Sequence, residues 1–294
     1  MISLYDSKGK YKHYLLYLLL PVLVIGVCSP AAEGNVSASA PLQAATSTQK
    51  QKKDSAATRS RVAIIIDDLG NGLRGTDEIL SLPIKLTVAV MPFLSTTESD
   101  ARRAHERGYD VLLHLPMEPR QGKPSWLGPG AILADMSDAE VHSRVEAALD
   151  NVPFAIGINN HMGSKVTGNE RVMRIVLAVC KDRGLFYLDS KTNSRSVVGK
   201  IAREMGLPPV ENHIFLDDTH SVNHVIKQLR LVGEKAEAQR YCVTIGHVGI
   251  QGKKTAAGIR SGIEAMKGQV DFVGISDLVR EEWHWSPRPS LTFP

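Results

Sequence analysis

From Arg61 onward the chain switches repeatedly between short β-branched runs and longer amphipathic stretches, and no other feature constrains its fold as much. Apolar runs at 62–66, 86–90, 111–115, 154–158, 185–188, 213–216, 241–245 and 270–275 predict strands. Between them, 95–107, 137–149, 169–183, 197–205, 222–238 and 256–266 carry helical periodicity. Ser137 and Glu140 have the spacing of a capping box, and Gly108, Gly184 and Gly206 stand where helix ends favour glycine. Apolar strands separated by helices imply a parallel sheet covered by those helices. Eight such strands within about 220 residues suit a closed or nearly closed barrel better than an open sheet. No internal repeat interrupts the pattern. The irregular stretch 120–133, rich in glycine and proline, follows the third strand, and long loops on such a scaffold tend to be functional.

Before this body lie two segments of different character. Lys8, Lys10 and Lys12 precede an apolar run of 14 residues at 14–27, with Ser29 and Ala31 at the small-residue positions of a cleavage site. Residues 1–31 are therefore expected to be a signal peptide or a membrane anchor. The run is short for a span, which needs about 20 apolar residues. Cys28 also suggests a lipoprotein, but Val27 before it is bulkier than such sites accept. Residues 32–60 are polar, rich in Ala, Ser, Thr, Gln and Lys, and read as a flexible linker. The protein is thus expected to be exported, to a periplasmic or cell-envelope location, with a possible membrane tether at its N-terminus. Beyond residue 31 the chain holds 32 basic and 30 acidic residues, too balanced to favour nucleic acid. Cys180 and Cys242 sit in apolar runs and read as buried small side chains.

The chemistry is signalled by position. The residues that follow the apolar runs include Asp67-Asp68, His114, Asn159-Asn160-His161, Asp189-Ser190, Asp217-Asp218, His247 and Ser276-Asp277. Parallel strands deliver their C-terminal ends to one face, where the active sites of barrel and open-sheet proteins lie. A single Asp at such a junction is most simply a helix N-cap, and a single His a hydrogen-bonded loop residue. Three histidines at three strand ends, together with paired aspartates, exceed what capping requires. Carboxylate and imidazole are ligand types suited to one divalent ion, zinc above all.

The segments Ala63-Ile64-Ile65-Ile66-Asp67-Asp68-Leu69-Gly70, Leu113-His114-Leu115-Pro116-Met117-Glu118-Pro119, Asn159-Asn160-His161-Met162-Gly163-Ser164 and Ile245-Gly246-His247 resemble the motifs of the divergent polysaccharide deacetylase family. That family is a branch of the NodB-type carbohydrate esterase superfamily. The resemblance spans roughly residues 61–279. It implies an α/β fold, a distorted (β/α) barrel of seven to eight parallel strands in a single domain at 61–280, followed by a tail at 281–294. It also implies one bound metal ion and hydrolysis of an N-acetyl group on a glycan. By the same resemblance Asp67 is the base, Asp68 and His114 are metal ligands, and His247 protonates the leaving amine.

Two positions depart from the superfamily pattern. The usual second metal histidine lies four residues after the first, where this chain has Glu118; His161 is expected as the third ligand, with Glu118 as the substitute. The Arg-containing segment that usually orients the base has no counterpart, which leaves that role unassigned. Asp189 is a candidate partner for His247 or for the base. Two rival functions stand beside the deacetylase: a non-catalytic envelope module that binds glycan or protein, and a metal hydrolase acting on a phosphoester. The second lacks a Gly-rich cradle or a cationic cluster beside the strand ends. Trp283-His284-Trp285 could stack on a sugar ring or pack as a tail against the barrel.

Overall fold

A computed structural model describes residues 59–288. The expected segments at 1–31 and most of 32–60 lie outside the described residues. So does the end of the tail. Among the described residues the strands are β1 (Ser60–Leu69), β2 (Thr87–Val90), β3 (Asp110–Met117), β4 (Ala155–Met162), β5 (Phe186–Asp189), β6 (Val210–Glu211), β7 (Ile214–Phe215), β8 (Tyr241–His247) and β9 (Val270–Val273). The helices are α1 (Thr76–Leu80), α2 (Thr97–His105), α3 (Asp138–Asn151), α4 (Glu170–Asp182), α5 (Val198–Met205), α6 (Val222–Gln239), α7 (Gly252–Met266) and α8 (Ile275–Trp283). Ser137 and Glu140 form the expected capping box on α3, and Asn169 and Ser221 cap α4 and α6.

All strand pairings are parallel, in the order β6-β5-β4-β3-β2-β1-β8-β7. β6 pairs with β5 and β7 with β8, so the chain crosses from one end of this order to the other through Asn212-His213. The expected distorted barrel is what forms, with its sixth position split into two short pieces.

Side-chain alternation sorts the strands into two apolar layers. Val62, Ile64 and Ile66 of β1 pack outward with residues of α1, α2, α3, α4, α6 and α7. Ala63 and Ile65 of β1, Leu112 of β3, Phe186 and Leu188 of β5, and Val243 and Ile245 of β8 fill the interior. That explains why the strands read as unbroken apolar runs: both faces are buried. Full burial of each such Val, Leu or Ile contributes about 1.5–3 kcal/mol before chain entropy is counted. Cys180 and Cys242 are buried and unpaired, as their settings suggest.

The C-terminal part corrects one expectation. β9 pairs only with the first half of β1, Ser60↔Val270 to Ala63↔Val273, so it ends well short of the strands' C-terminal face. α8 then places Ile275, Leu278 and Val279 in the interior layer. Ser276 bonds Asp110, at the start of β3, and Asp277 bonds Lys85; both belong to the opposite end of the barrel from Asp67. Trp283 and Trp285 pack edge-on against Tyr241 and Phe186, the first residues of β8 and β5. Of the two readings of this tail, packing is the one observed.

The loops after β1 and β8 are locked together by a close backbone approach. Gly249 N–H donates to the Arg74 carbonyl at 2.9 Å, and a Cβ at Gly252 would lie 2.1 Å from the same oxygen. Gly252→Ala must push two backbones apart and is expected to cost about 1–3 kcal/mol, read as a lower denaturant midpoint. An unchanged midpoint would show that the contact carries no constraint.

Candidate metal centre

The alternation that fills the barrel also supplies its reactive end. Continuing the inward series 63, 65 along β1 gives Asp67; 112 along β3 gives His114; 243, 245 along β8 gives His247. On β4 the inward positions are Asn159 and His161. Strand register sets these side by side: His247 lies opposite Asp67, Asn159 opposite His114, and His161 opposite Pro116. Asp68 has the wrong parity for an inward side chain. The β1–β2 register shifts between Ile66 and Leu69, and Asp68 takes φ 73°, a left-handed conformation that Asp tolerates better than most residues. This turn brings its carboxylate to the same pocket.

Three donor atoms converge there. Asp68 Oδ1 is 2.9 Å from His161 Nδ1 and 3.3 Å from His114 Nε2, and the two nitrogens are 3.2 Å apart. The remaining ring nitrogens face oxygens. His114 Nδ1 meets Asn159 Oδ1 at 2.8 Å, and His161 Nε2 meets the Trp126 carbonyl at 3.0 Å. A carbonyl or amide oxygen only accepts, so each neutral imidazole donates its one N–H there. His114 Nε2 and His161 Nδ1 are left with lone pairs that face a carboxylate oxygen. Asp68 Oδ1 is correspondingly buried with no hydrogen-bond partner.

Mutual acceptors at this spacing are costly unless a cation lies among them. The separations also suit three corners of a tetrahedron with metal–ligand bonds of about 2.0–2.2 Å. The residues therefore fit a divalent ion.

Asp67 lies beside this triangle and outside it. It is 2% exposed; its Oδ1 accepts a 2.8 Å bond from Asn159 Nδ2, and its Oδ2 is 3.7 Å from His114 Nε2. Burial raises its pKa, against the opposing pull of His114 and His247. His247 is held by Asp217, whose Oδ1 meets Nδ1 at 2.8 Å and whose Oδ2 accepts the His247 backbone N–H at 2.7 Å. Thr255 donates its hydroxyl to the same Oδ2, and the Phe215 ring stacks on the imidazole. Burial tends to lower the His247 pKa, but the hydrogen bond and charge of Asp217, aided by Asp67 and Asp68, push it up to about 9.

The structure thus brings together Asp67, Asp68, His114, His161 and His247. Asp189 does not join them. It follows the inward residue Leu188 and so has outward parity, and its carboxylate accepts the Lys191 backbone N–H at 2.8 Å. The carboxylate that orients His247 is Asp217, two residues beyond the inward Phe215. Glu118 is also elsewhere, with Oε1 2.7 Å from Lys165 Nζ and Oε2 accepting from Ala134 N–H at 2.9 Å. Three partners carry no role in the sequence pattern: Asp217 and Asn159 stand only among the strand-end residues, whereas the Trp126 carbonyl belongs to the backbone and has no signal there. The loop that carries Trp126 returns to β3 through Met117↔Ile132 pairing, which fixes that carbonyl over His161.

Comparison with known proteins gives the family and the fold of the chain. A family model described as divergent polysaccharide deacetylase matches residues 64–279. A Haemophilus influenzae protein is 33% identical over 233 residues, 79% of this chain and 81% of that protein. Escherichia coli YibQ is 33% identical over 187 residues, 64% of this chain and 58% of its own length. A crystal structure of an Agrobacterium tumefaciens protein superposes with a TM-score of 0.70 at 22% identity, covering 76% of this chain and 91% of the other; at that identity it speaks for the fold alone.

Proposed function

The chain belongs to the divergent polysaccharide deacetylase family, and from that premise we propose that it is a metal-dependent hydrolase removing N-acetyl groups from an envelope polysaccharide. The observation that carries this reading is the triangle of Asp68 Oδ1, His114 Nε2 and His161 Nδ1, whose lone pairs face one another beside a separate, buried carboxylate. Asp68, His114 and His161 would hold the ion. A divalent cation such as zinc supplies a Lewis acid that polarises the acyl carbonyl and lowers the pKa of a water from about 15.7 towards 7.

The protein groups divide the proton transfers. Asp67 Oδ1 is tied to Asn159, so Oδ2 is the oxygen that takes the proton of the attacking water. The water oxygen bonds to the amide carbon, and the carbon–nitrogen bond breaks as the tetrahedral adduct collapses. His247 Nδ1 is occupied by Asp217, so Nε2 delivers the proton to the departing amine. The products are acetate and a free amino sugar. Trp126 is joined through its carbonyl to His161; the residue is 57% exposed, with Lys123 Nζ 5.7 Å from the ring centroid, and an exposed indole of this kind is a surface on which a pyranose can stack. An envelope glycan is the substrate pool that an exported enzyme meets.

The test is release of acetate from a panel of N-acetylated glycans by protein of known metal content. The pH profile gives a second check. His247 must be protonated to act, so activity is present below its pKa and lost as pH rises through about 9. Asp217→Asn removes the charge that supports the imidazolium and should move this basic limb down by about 1–3 units. A basic limb that does not move would mean that His247 is not the acid.

A further inference from the structure

We propose that Asn159 is the positioning residue that sets the base and the first imidazole ligand together, filling with one neutral amide the role left without an arginine. This rests on the reading of Asp67 as base and His114 as ligand. Asn159 is fully buried, and its side chain makes two bonds of 2.8 Å: Nδ2 to Asp67 Oδ1, and Oδ1 to His114 Nδ1. The two ends of the amide are not interchangeable. A carboxylate accepts only, so the NH₂ end must face Asp67; the oxygen then faces His114 and requires a hydrogen on Nδ1. One choice of amide orientation therefore fixes the His114 tautomer, with the Nε2 lone pair turned to Asp68, and leaves Asp67 Oδ2 as the free basic oxygen.

The position is suited to this coupling. Asn159 sits on β4 in direct register with His114 on β3, while its other bond crosses the interior to β1. The amide joins two strands that do not pair with each other. Fixing Asp67 with a neutral donor also leaves the pocket without an additional cation beside the metal triangle.

The two halves of the amide can be separated by substitution. Asn159→Asp keeps an acceptor for His114 Nδ1–H but turns an oxygen and a like charge towards Asp67. Asn159→Leu fills nearly the same volume and removes both bonds. Zinc affinity is measured by competition with a chromophoric chelator, alongside kcat, KM and the thermal midpoint. For Asn159→Asp the expected result is zinc affinity at or above wild type, kcat down by about 10²-fold or more with KM little changed, and a lowered midpoint. For Asn159→Leu zinc affinity should fall by about 10–100-fold, the range seen when a partner of a metal-bound histidine is lost. Adding Asp67→Asn to Asn159→Asp restores a donor opposite the new carboxylate, so the double variant should recover most of the lost midpoint while remaining inactive.

Equal loss of zinc affinity in Asn159→Asp and Asn159→Leu would overturn the proposal, as would failure of the double variant to recover stability. If the wild-type protein releases no acetate, the zinc and midpoint measurements still decide the role of Asn159, and the failure then belongs to the deacetylase reading alone.

Discussion

Asp67→Asn is expected to retain the fold and the bound ion while releasing acetate about 10²–10⁴-fold more slowly than wild type. The substitution preserves the shape of a side chain that is almost wholly buried, so packing is little disturbed. It removes the basic oxygen and leaves the three donor atoms untouched, because neither Asp67 oxygen belongs to the triangle. An amide at 67 can still turn its oxygen to Asn159 Nδ2 and keep that bond. The diagnostic result is a normal metal content with a collapsed kcat. Wild-type rates at equal metal occupancy would remove Asp67 from the mechanism, even if the metal site proved real.

The second large effect concerns the ligands. His161→Ala is expected to abolish tight binding of about one divalent ion per chain, with activity lost in parallel. His114→Ala should do the same and also strip Asn159 of its acceptor role. Glu118→Ala should leave metal content close to wild type, since Glu118 pairs with Lys165 and the Ala134 N–H. The pair of measurements separates two chemistries. An ion lost with Glu118→Ala and kept with His161→Ala would place the third ligand four residues after His114 and contradict the geometry described above. A chelator should reproduce the His161→Ala phenotype in wild-type protein, and zinc should reverse it.

Much of this was legible in the residues because the strands are buried on both faces. Continuous β-branched runs announce such strands, and their ends announce a common face. Parity carries further. Counting in twos from Ala63 reaches Asp67, and from Val243 reaches His247. The same count separates Asp217, in step with Phe215, from Asp189, out of step with Leu188. Asp189 was a plausible partner by position and is excluded by the direction of its side chain.

Other elements gave no such signal. Asp68 defies parity because a register shift and a positive φ turn it into the pocket, and the run of apolar residues before it gives no sign of the irregularity. β6 is two residues long and depends on pairing with β5, not on any local pattern. The stretch 270–275 reads as one strand, yet β9 ends at Val273 and α8 begins at Ile275, because burial of Ile275, Leu278 and Val279 inside the barrel outweighs the β-branched composition. The Trp126 carbonyl that orients His161 acts through the backbone, so its loop could be flagged as functional but not its contact.

A working hydrolytic centre built from the converging carboxylates and imidazoles differs from a mere binding surface in a single outcome, turnover. The most direct measurement is acetate release from N-acetylated glycans by wild-type protein, run beside Asp67→Asn and His247→Ala at equal metal occupancy. Acetate is expected from wild type, depending on the ion, with both variants metal-loaded and slower by about 10²–10⁴-fold. A metal-loaded wild-type protein that binds these glycans and releases no acetate would contradict it and identify a non-catalytic glycan-binding module on a deacetylase barrel.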